Sequence, residues 1–155
     1  MTDLSDLLSP DAVDAGLTVT SKKALFHQLA LAGGRMTGLD SKLILAALSD
    51  REKTGSTGFG GGTAIPHGKV PGLTHIHGCF ARLAAPLAYQ AVDLMPVDLV
   101  FMLLSPPDAG ADHLKALARV SRVLRDKQIV AKLRGARSRD ALYAVLTGAE
   151  TRDAA

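Results

Sequence analysis

A long apolar run in the second half of the chain restricts the fold more than any other feature. Residues 97–105 read VDLVFMLLS, with Asp98 as the only charged side chain, and Pro106 and Pro107 follow directly. A continuous apolar run of this length, stopped by prolines, is typical of a strand that is buried on both faces. We therefore predict a central strand here.

The segments around this run predict the elements that cover it. Extended pieces are expected at 17–19, at 63–67 and over 74–83. Ser21 and Asp40 are expected to cap two helices, the first ending at Gly33 and Gly34 and the second at Gly55. Three more helices are expected over 112–126, 127–136 and 138–148. Helices before and after the strands predict an α/β fold with a mixed sheet flanked by helices on both faces, as one domain over 1–150 with a frayed tail at 151–155.

Composition excludes several functional classes. The chain of 155 residues has no apolar run near the roughly 20 residues of a membrane helix, so no membrane insertion is expected. The first 14 residues carry four aspartates and no Lys or Arg, the opposite of a secretory signal. Cys79 is the only cysteine, which agrees with a reducing compartment, and we expect a cytoplasmic protein. Six aromatic residues and no Trp disfavour a base-stacking surface for nucleic acid.

A basic stretch runs from residue 114 to residue 139, with Asp126 as its only acid. Such a stretch is typical of a solvated helical face, although it also fits a docking surface for an acidic partner. A DNA-binding surface is the third interpretation, but no recognised DNA-binding motif accompanies it. The nine basic residues are Lys115, Arg119, Arg122, Arg125, Lys127, Lys132, Arg134, Arg137 and Arg139.

A glycine-rich stretch, STGFGGGTAIPHGK over 56–69, is the strongest functional signal. It is neither a P-loop nor a Rossmann fingerprint, because both would require a glycine where Thr63 stands. Backbone N–H groups in such a loop form an anion-binding concavity, and a nearby Arg51 fits a phosphate clamp. The alternative is that the glycines only form a turn. The candidate phosphate-binding residues are Ser56, Thr57, Gly58, Gly60, Gly61 and Gly62.

His67 lies at the end of this stretch, between Pro66 and Gly68. Pro66 fixes its own φ and Gly68 permits close approach, which suits a ring held in one orientation. A neutral imidazole is a recognised covalent nucleophile, so a phosphohistidine beside the anion-binding loop is one hypothesis. A structural histidine bonded to the backbone is the other.

The run REKTGSTGFGGGTAIPHGK, over 51–69, closely resembles the active-site segment of fructose/mannitol-type enzyme IIA domains of the phosphoenolpyruvate-dependent phosphotransferase system, and most of all their nitrogen-regulatory branch. The similarity extends over 83–107 and 112–136. It implies that His67 accepts a phosphoryl group on Nε2, that His113 is the second active-site histidine and that Arg51 lies beside the phosphohistidine. One departure is Gly61, where that branch often has a more polar residue such as Asn.

The resemblance also implies the partners. A histidine-containing phosphocarrier protein, phosphorylated on Nδ1, would donate a phosphoryl group that derives from phosphoenolpyruvate, with no cofactor. Regulatory targets such as kinases or transporters would respond to the added charge. The alternative within the family is a sugar-transport enzyme IIA that passes phosphate to a separate IIB. We expect Phe59 to be exposed and to contact the donor.

A hypothesis from another class is a metal-assisted enzyme that uses His67, His75, His77 and His113. On a strand, His75, His77 and Cys79 would face one side, and all three are zinc ligands by type. Three ligands so close on one strand rarely converge on one ion, and no fourth is evident. We therefore predict no metal site.

Overall fold

The structure, a computed structural model, describes residues 3–149. The expected fraying of 151–155 lies outside these residues. The described chain forms six strands, β1 (Val13–Leu17), β2 (Gly58–Gly60), β3 (Thr63–Ala64), β4 (His67–Lys69), β5 (His77–Leu87) and β6 (Val97–Ser105). It also forms five α-helices, α1 (Lys22–Thr37), α2 (Ser41–Lys53), α3 (Ala111–Arg125), α4 (Lys127–Gly135) and α5 (Arg139–Thr147). None of these helices is long and apolar enough to span a membrane.

The central strand of the sheet is β6, as the apolar run predicts. The strands are ordered β1-β5-β6-β3-β2, and β4 follows β3 along the same side of β6. The pairing with β5 is antiparallel, while β3 and β4 run parallel to β6, so the sheet is mixed. Every residue of β6 except Asp98 is buried. The predicted α/β fold with a mixed sheet is confirmed.

Two consecutive residues at the end of β6 show that helices cover both faces. The side chain of Leu104 packs close to Gly33 in α1. The next residue, Ser105, makes a hydrogen bond to His113 in α3. Because successive side chains of a strand point to opposite faces, α1 and α3 lie on opposite faces of the sheet.

The predicted starts of the first two helices are confirmed. Ser21 Oγ accepts a hydrogen bond from the Ala24 N–H, and the Asp40 carboxylate accepts one from the Lys42 N–H. The predicted end of α1 at Gly33 and Gly34 is wrong, because the helix continues to Thr37 and ends at Gly38, whose φ is +75°. A Cβ on Gly33 would lie 3.0 Å from the Ile44 side chain, so packing against α2 favours glycine inside this helix.

The first predicted strand is also displaced. Extended structure covers Val13–Leu17 instead of 17–19, because Val13 and Asp14 pair with Phe80 and Ala81 of β5. The strand expected over 74–83 begins at His77 and continues to Leu87. In both cases pairing with a neighbouring strand sets the boundaries. The three closing helices lie where the periodicity predicts them.

Candidate functional site

His67 lies at the carboxyl end of β6. It opens β4, where it pairs with Leu103, and its side chain therefore points to the same face as Ser105 and α3. The following residue, Gly68, packs directly on α2, since a Cβ there would lie 3.0 Å from the Ala47 side chain and 3.1 Å from its carbonyl oxygen. A side chain at position 68 would push β4 away from α2, so Gly68 keeps His67 in its place.

Both ring nitrogens of His67 have a hydrogen-bond partner. Nδ1 lies 2.7 Å from the Ile65 carbonyl oxygen, which only accepts, so Nδ1 carries the proton. Nε2 lies 3.1 Å from Nε of Arg51, which only donates, so Nε2 carries the lone pair. The two contacts independently define the neutral Nδ1–H tautomer. The lone pair of the neutral ring is thus on Nε2.

The surroundings also keep this ring neutral. Burial lowers the pKa of His67 below its ordinary value, and the charge of Arg51 acts in the same direction. The Ile65 carbonyl and the carboxylate of Glu52 oppose this shift of the pKa without reversing it. The imidazole therefore remains an unprotonated nucleophile at neutral pH.

Arg51 is anchored at the end of α2. Its Nη1 donates to Thr54 Oγ1 at 3.0 Å and to the Gly55 carbonyl at 2.9 Å, while its Nε faces His67. Among residues 3–149, no carboxylate forms an ion pair with this guanidinium. The sequence prediction that Arg51 lies beside His67 agrees with this geometry.

His113 lies in the first turn of α3, as predicted. The centroid of its ring lies 5.6 Å from that of His67, and its Nδ1 lies 2.6 Å from Ser105 Oγ. Burial lowers the pKa of His113, and the neighbouring His67 and Lys69 lower it further. The amino end of a helix favours an anion, so two imidazoles, Arg51 and a helix dipole converge on one place.

The glycine-rich segment does not present its polar groups to His67 as a cradle. Thr57 is buried, and its hydroxyl donates to Glu52 Oε1 at 2.5 Å while its N–H donates to Glu52 Oε2 at 2.8 Å. Lys22 and the hydroxyl of Tyr89 also contact this carboxylate. Burial raises the pKa of Glu52, but the hydrogen bonds from Thr57 and Lys22 outweigh it and hold the pKa below its usual range. An internal carboxylate therefore occupies the position that we predicted for phosphate at Thr57.

Gly60, Gly61 and Gly62 form the turn of the β2–β3 hairpin, each with a positive φ between 68° and 109°. The carbonyl of Gly62 accepts hydrogen bonds from Asp98 and Leu99 at the start of β6, whereas His67 pairs with Leu103. The separation along the strand is about 16 Å, at ~3.3 Å per residue. The structure therefore does not bring these three glycines to His67, and the alternative interpretation, a turn, describes them.

Internal partners close this hairpin. Arg134 makes a two-pronged ion pair with Asp98 at 2.8 and 2.9 Å and donates to the Gly61 carbonyl at 2.9 Å. The Gly61 N–H donates to Asp93 at 3.0 Å, and this bond lowers the pKa of the Asp93 carboxyl. The N–H of Gly61 is thus bound by a carboxylate of the protein itself, that of Asp93.

The remaining predicted loop residues have local roles. Ser56 Oγ accepts from the Gly58 N–H at 3.1 Å, and a Cβ on Gly58 would lie 2.8 Å from the Tyr89 ring. Phe59 is half-buried, with the Arg125 guanidinium 5.4 Å from its ring centroid. The expectation that Phe59 is exposed is wrong, because its side chain packs against the core and the Arg125 side chain lies over its ring.

The four histidines of the metal hypothesis do not converge. His77 pairs with Leu104 on β6, and His67 with Leu103, so their side chains point to opposite faces of the sheet. The rings of His75 and His77 lie 5.5 Å apart, but Cys79 is buried, and burial raises the pKa of its thiol to about 12. Within the part of the chain that the structure describes, no three His, Cys, Asp or Glu side chains are placed to hold a metal ion.

Known proteins resemble this chain over most of its length. The family model described as "Phosphoenolpyruvate-dependent sugar phosphotransferase system, EIIA 2" matches residues 6–149. The chain belongs to this family. A relative from Bradyrhizobium diazoefficiens, named nitrogen regulatory protein, is 49% identical over 92% of this chain and 94% of its own length. A more distant relative from Haloferax volcanii, named as the fructose-specific EIIA component of a PTS system, is 32% identical over 94% of this chain and 96% of its own.

A solved structure extends the similarity to three dimensions. The nitrogen regulatory protein IIA-Ntr from Neisseria meningitidis is 35% identical and superimposes with a TM-score of 0.87, over 92% of this chain and 97% of that chain. The prediction of an enzyme IIA of the nitrogen-regulatory branch is confirmed, and so is its function as a phosphotransferase-system phosphocarrier in nitrogen regulation.

Sequence reasoning missed three residues that contact the candidate site residues or follow one of them in the chain. Glu52 follows Arg51 directly, but nothing in the sequence shows that it binds Thr57. Ser105 ends the apolar run, and a polar residue at the end of a buried strand was the available signal. Leu114 follows His113 and has an exposed fraction of 66%, and no pattern distinguishes it from the other leucines of α3.

Proposed function

We propose that Nε2 of His67 accepts the phosphoryl group from a phosphocarrier protein that carries it on Nδ1 of a histidine. The Nε2 lone pair attacks phosphorus, the new N–P bond forms, and the donor's N–P bond breaks with its electron pair returning to the donor's imidazole. The proton on Nδ1 of His67 stays in the hydrogen bond to the Ile65 carbonyl. No further reactant is needed, because the bond that forms and the bond that breaks are of the same kind.

The observation that carries this proposal is the hydrogen bonding of the His67 ring. The Nδ1 contact to Ile65, at 2.7 Å, leaves Nε2 as the nitrogen with a lone pair, and lowering of the pKa keeps it unprotonated. The Ile65 N–H donates in turn to the Thr57 carbonyl at 3.0 Å, and Thr57 is fixed by Glu52. The ring orientation is thus supported by a continuous series of hydrogen bonds, which suits preorganised chemistry.

Arg51 supplies a positive charge for the phosphoryl oxygens, and His113 supplies a hydrogen-bond donor. Since Arg51 Nε contacts Nε2 of His67, the guanidinium must release this nitrogen before phosphorus reaches it. Its donors then face the phosphoryl group, where a guanidinium gives strong charge-assisted hydrogen bonds. His113 lies at the amino end of α3, and its ring centroid is 5.6 Å from that of His67.

Donor docking would use the exposed surface beside these groups. Leu114 is next to His113 and its side chain is largely exposed, so it replaces Phe59 as the proposed apolar contact for the carrier. The product adds roughly −2 charge to this surface, which changes its affinity for regulated partners such as kinases or transporters. We place the reaction in the cytoplasm, in agreement with the unpaired Cys79.

A second candidate function is favoured by one observation. The Haloferax relative is named as a fructose-specific component, so a separate IIB protein is a possible acceptor for this chain. Transfer from the phosphorylated chain to a purified IIB, measured by loss of label, distinguishes sugar transport from regulation.

The test of the proposed function is phosphorylation in vitro. Incubated with phosphoenolpyruvate, the first enzyme of the system and its carrier, the protein should gain one acid-labile, base-stable phosphate. His67→Ala should abolish labelling. His75→Ala, which removes an exposed histidine outside the site, is the matched control and should label normally. Labelling of His67→Ala, or an acid-stable phosphate on Ser56 or Thr57, would contradict the assignment.

A further inference from the structure

A buried serine lies behind the second histidine of the site. Ser105 is fully buried at the end of β6, and His113 is 7% exposed in the first turn of α3. Ser105 Oγ and His113 Nδ1 lie 2.6 Å apart, which is a short hydrogen bond. The two residues come from a strand and a helix joined by a turn, so this contact also fixes the ring relative to the sheet.

The direction of this hydrogen bond follows from the single proton of the hydroxyl. Within residues 3–149, Ser105 Oγ has no other hydrogen-bond partner. If Nδ1 of His113 carried a proton, Oγ would accept a hydrogen bond from this N–H. The buried hydroxyl proton of Ser105 would then have no acceptor. An unsatisfied buried donor costs about 1–3 kcal/mol. The hydroxyl therefore donates to Nδ1, and in the neutral ring the proton lies on Nε2.

We propose that Ser105 is a positioning residue, which holds His113 as the Nε2–H tautomer so that the ring donates a hydrogen bond to a phosphoryl oxygen on His67. This inference rests on the proposed function of His67. The opposite tautomer would present a lone pair to the phosphoryl oxygens and repel them. Ser105 thus gives His113 the opposite tautomer from His67, whose Nδ1–H is bound to a carbonyl.

Because the buried His113 ring is neutral, a neighbouring group must select which of its two nitrogens carries the proton. Burial and the charges of His67 and Lys69 lower the pKa of His113, so the ring is neutral before the phosphoryl group arrives. An imidazolium would donate from both nitrogens and would need no partner to select between them. A neutral ring donates from one nitrogen only, and the Ser105 hydroxyl decides which.

The first measurement reads the tautomer directly in the free protein. In ¹⁵N–¹H correlation spectra of the imidazole groups, His113 should show a protonated Nε2 and an unprotonated Nδ1. His67 in the same spectrum should show the reverse and is an internal reference. A protonated Nδ1 on His113 would overturn the proposal. Because this measurement needs no donor, it tests the tautomer of His113 even if His67 accepts no phosphate, so failure of the tautomer assignment is distinguished from failure of the proposed function.

The second measurement tests whether the tautomer affects transfer. Ser105→Ala should slow phosphoryl acceptance roughly tenfold, at the lower end of the range for loss of an orienting partner. KM for the carrier should not change, because the substituted residue is buried. Thr63→Val is the matched control, since it removes another buried hydroxyl of the sheet, one that donates to the Gly60 carbonyl far from His113. It should leave the rate unchanged.

A double-mutant cycle links the effect to His113. In the His113→Ala background, Ser105→Ala should cause no further slowing, because the serine acts only through the ring. Full additivity of the two substitutions, or a Ser105→Ala rate equal to that of the unsubstituted protein, would overturn the positioning role.

Discussion

At the amino end of β6, carboxylates bind Arg134 and the glycine turn, and at its carboxyl end Arg51 contacts His67, whose ring lies beside that of His113. Arg134 is paired with Asp98, and the Gly61 N–H is bound by Asp93. Arg51, by contrast, donates to neutral groups only. Both ends therefore offer donors to an anion, but of the two arginines only Arg134 forms an ion pair with a carboxylate among residues 3–149.

This difference shows why the long glycine-rich segment has two separate roles. Its first half forms a hairpin that an internal ion pair and a backbone hydrogen bond to Asp93 stabilise, and its second half places His67 beside the Arg51 guanidinium. A site whose donors are already satisfied gains little from an external phosphate, because the internal bonds must first be broken. In the proposed function, the external phosphoryl group binds at the carboxyl end, where Arg51 forms no ion pair with a carboxylate among residues 3–149.

Of the effects that should distinguish the two ends of β6, the largest is on the rate of phosphoryl acceptance. His113→Ala should slow phosphoryl acceptance by about 10²–10³, the typical cost of losing one donor to a developing oxyanion. The thermal midpoint should change little by comparison. Single-turnover transfer from the phosphorylated carrier measures the rate, and calorimetry measures the midpoint. A normal rate in this variant would show that His113 does not contact the phosphoryl group.

An intermediate effect is expected at the hairpin, on stability alone. Gly62 has φ +81°, and an added Cβ would overlap the Arg134 guanidinium and lie 3.0 Å from Asp98 Oδ1. Gly62→Ala should therefore cost about 2 kcal/mol, or roughly 4–8 °C in Tm, through strain and displacement of the ion pair.

Gly61→Ala is the matched control for this variant. Its φ of +68° is also unfavourable, but a Cβ there meets nothing within 4 Å, so only the strain of about 1 kcal/mol remains. Both variants should accept phosphate at the normal rate well below their midpoints. If Gly62→Ala kept its stability but accepted phosphate slowly, the result would favour the original prediction that these glycines bind the phosphoryl group.

The smallest expected effect is a shift on the pH axis. Because burial and Arg51 lower the pKa of His67, its titration midpoint should lie below 6.5, and the nucleophile stays neutral further into the acid range. Arg51→Ala removes one of the two causes and should move the midpoint upward, although burial, the larger cause, remains. NMR titration of the free protein measures both midpoints. A midpoint at or above 6.5 in the unsubstituted protein would contradict the described surroundings of the ring.

Local patterns in the sequence predicted most of the fold. The apolar run predicted β6, Ser21 and Asp40 predicted the starts of two helices, and the period of the last segments predicted α3, α4 and α5. These features are readable because strand burial, helix capping and amphipathic periodicity depend on residues a few positions apart. The boundaries of β1 and α1 were wrong because Phe80 and Ile44, far along the chain, decide them.

The sequence by itself determined the candidate nucleophile, since Pro66-His67-Gly68 is a local motif within a recognisable family segment. Only the tertiary structure decided which polar groups surround it. Strand order and register placed Gly60–Gly62 at the far end of β6, turned Thr57 toward Glu52 and set Ser105 behind His113. These are distances between residues that are separated along the chain, and they follow from how strands and helices pack together, which no short stretch of sequence contains.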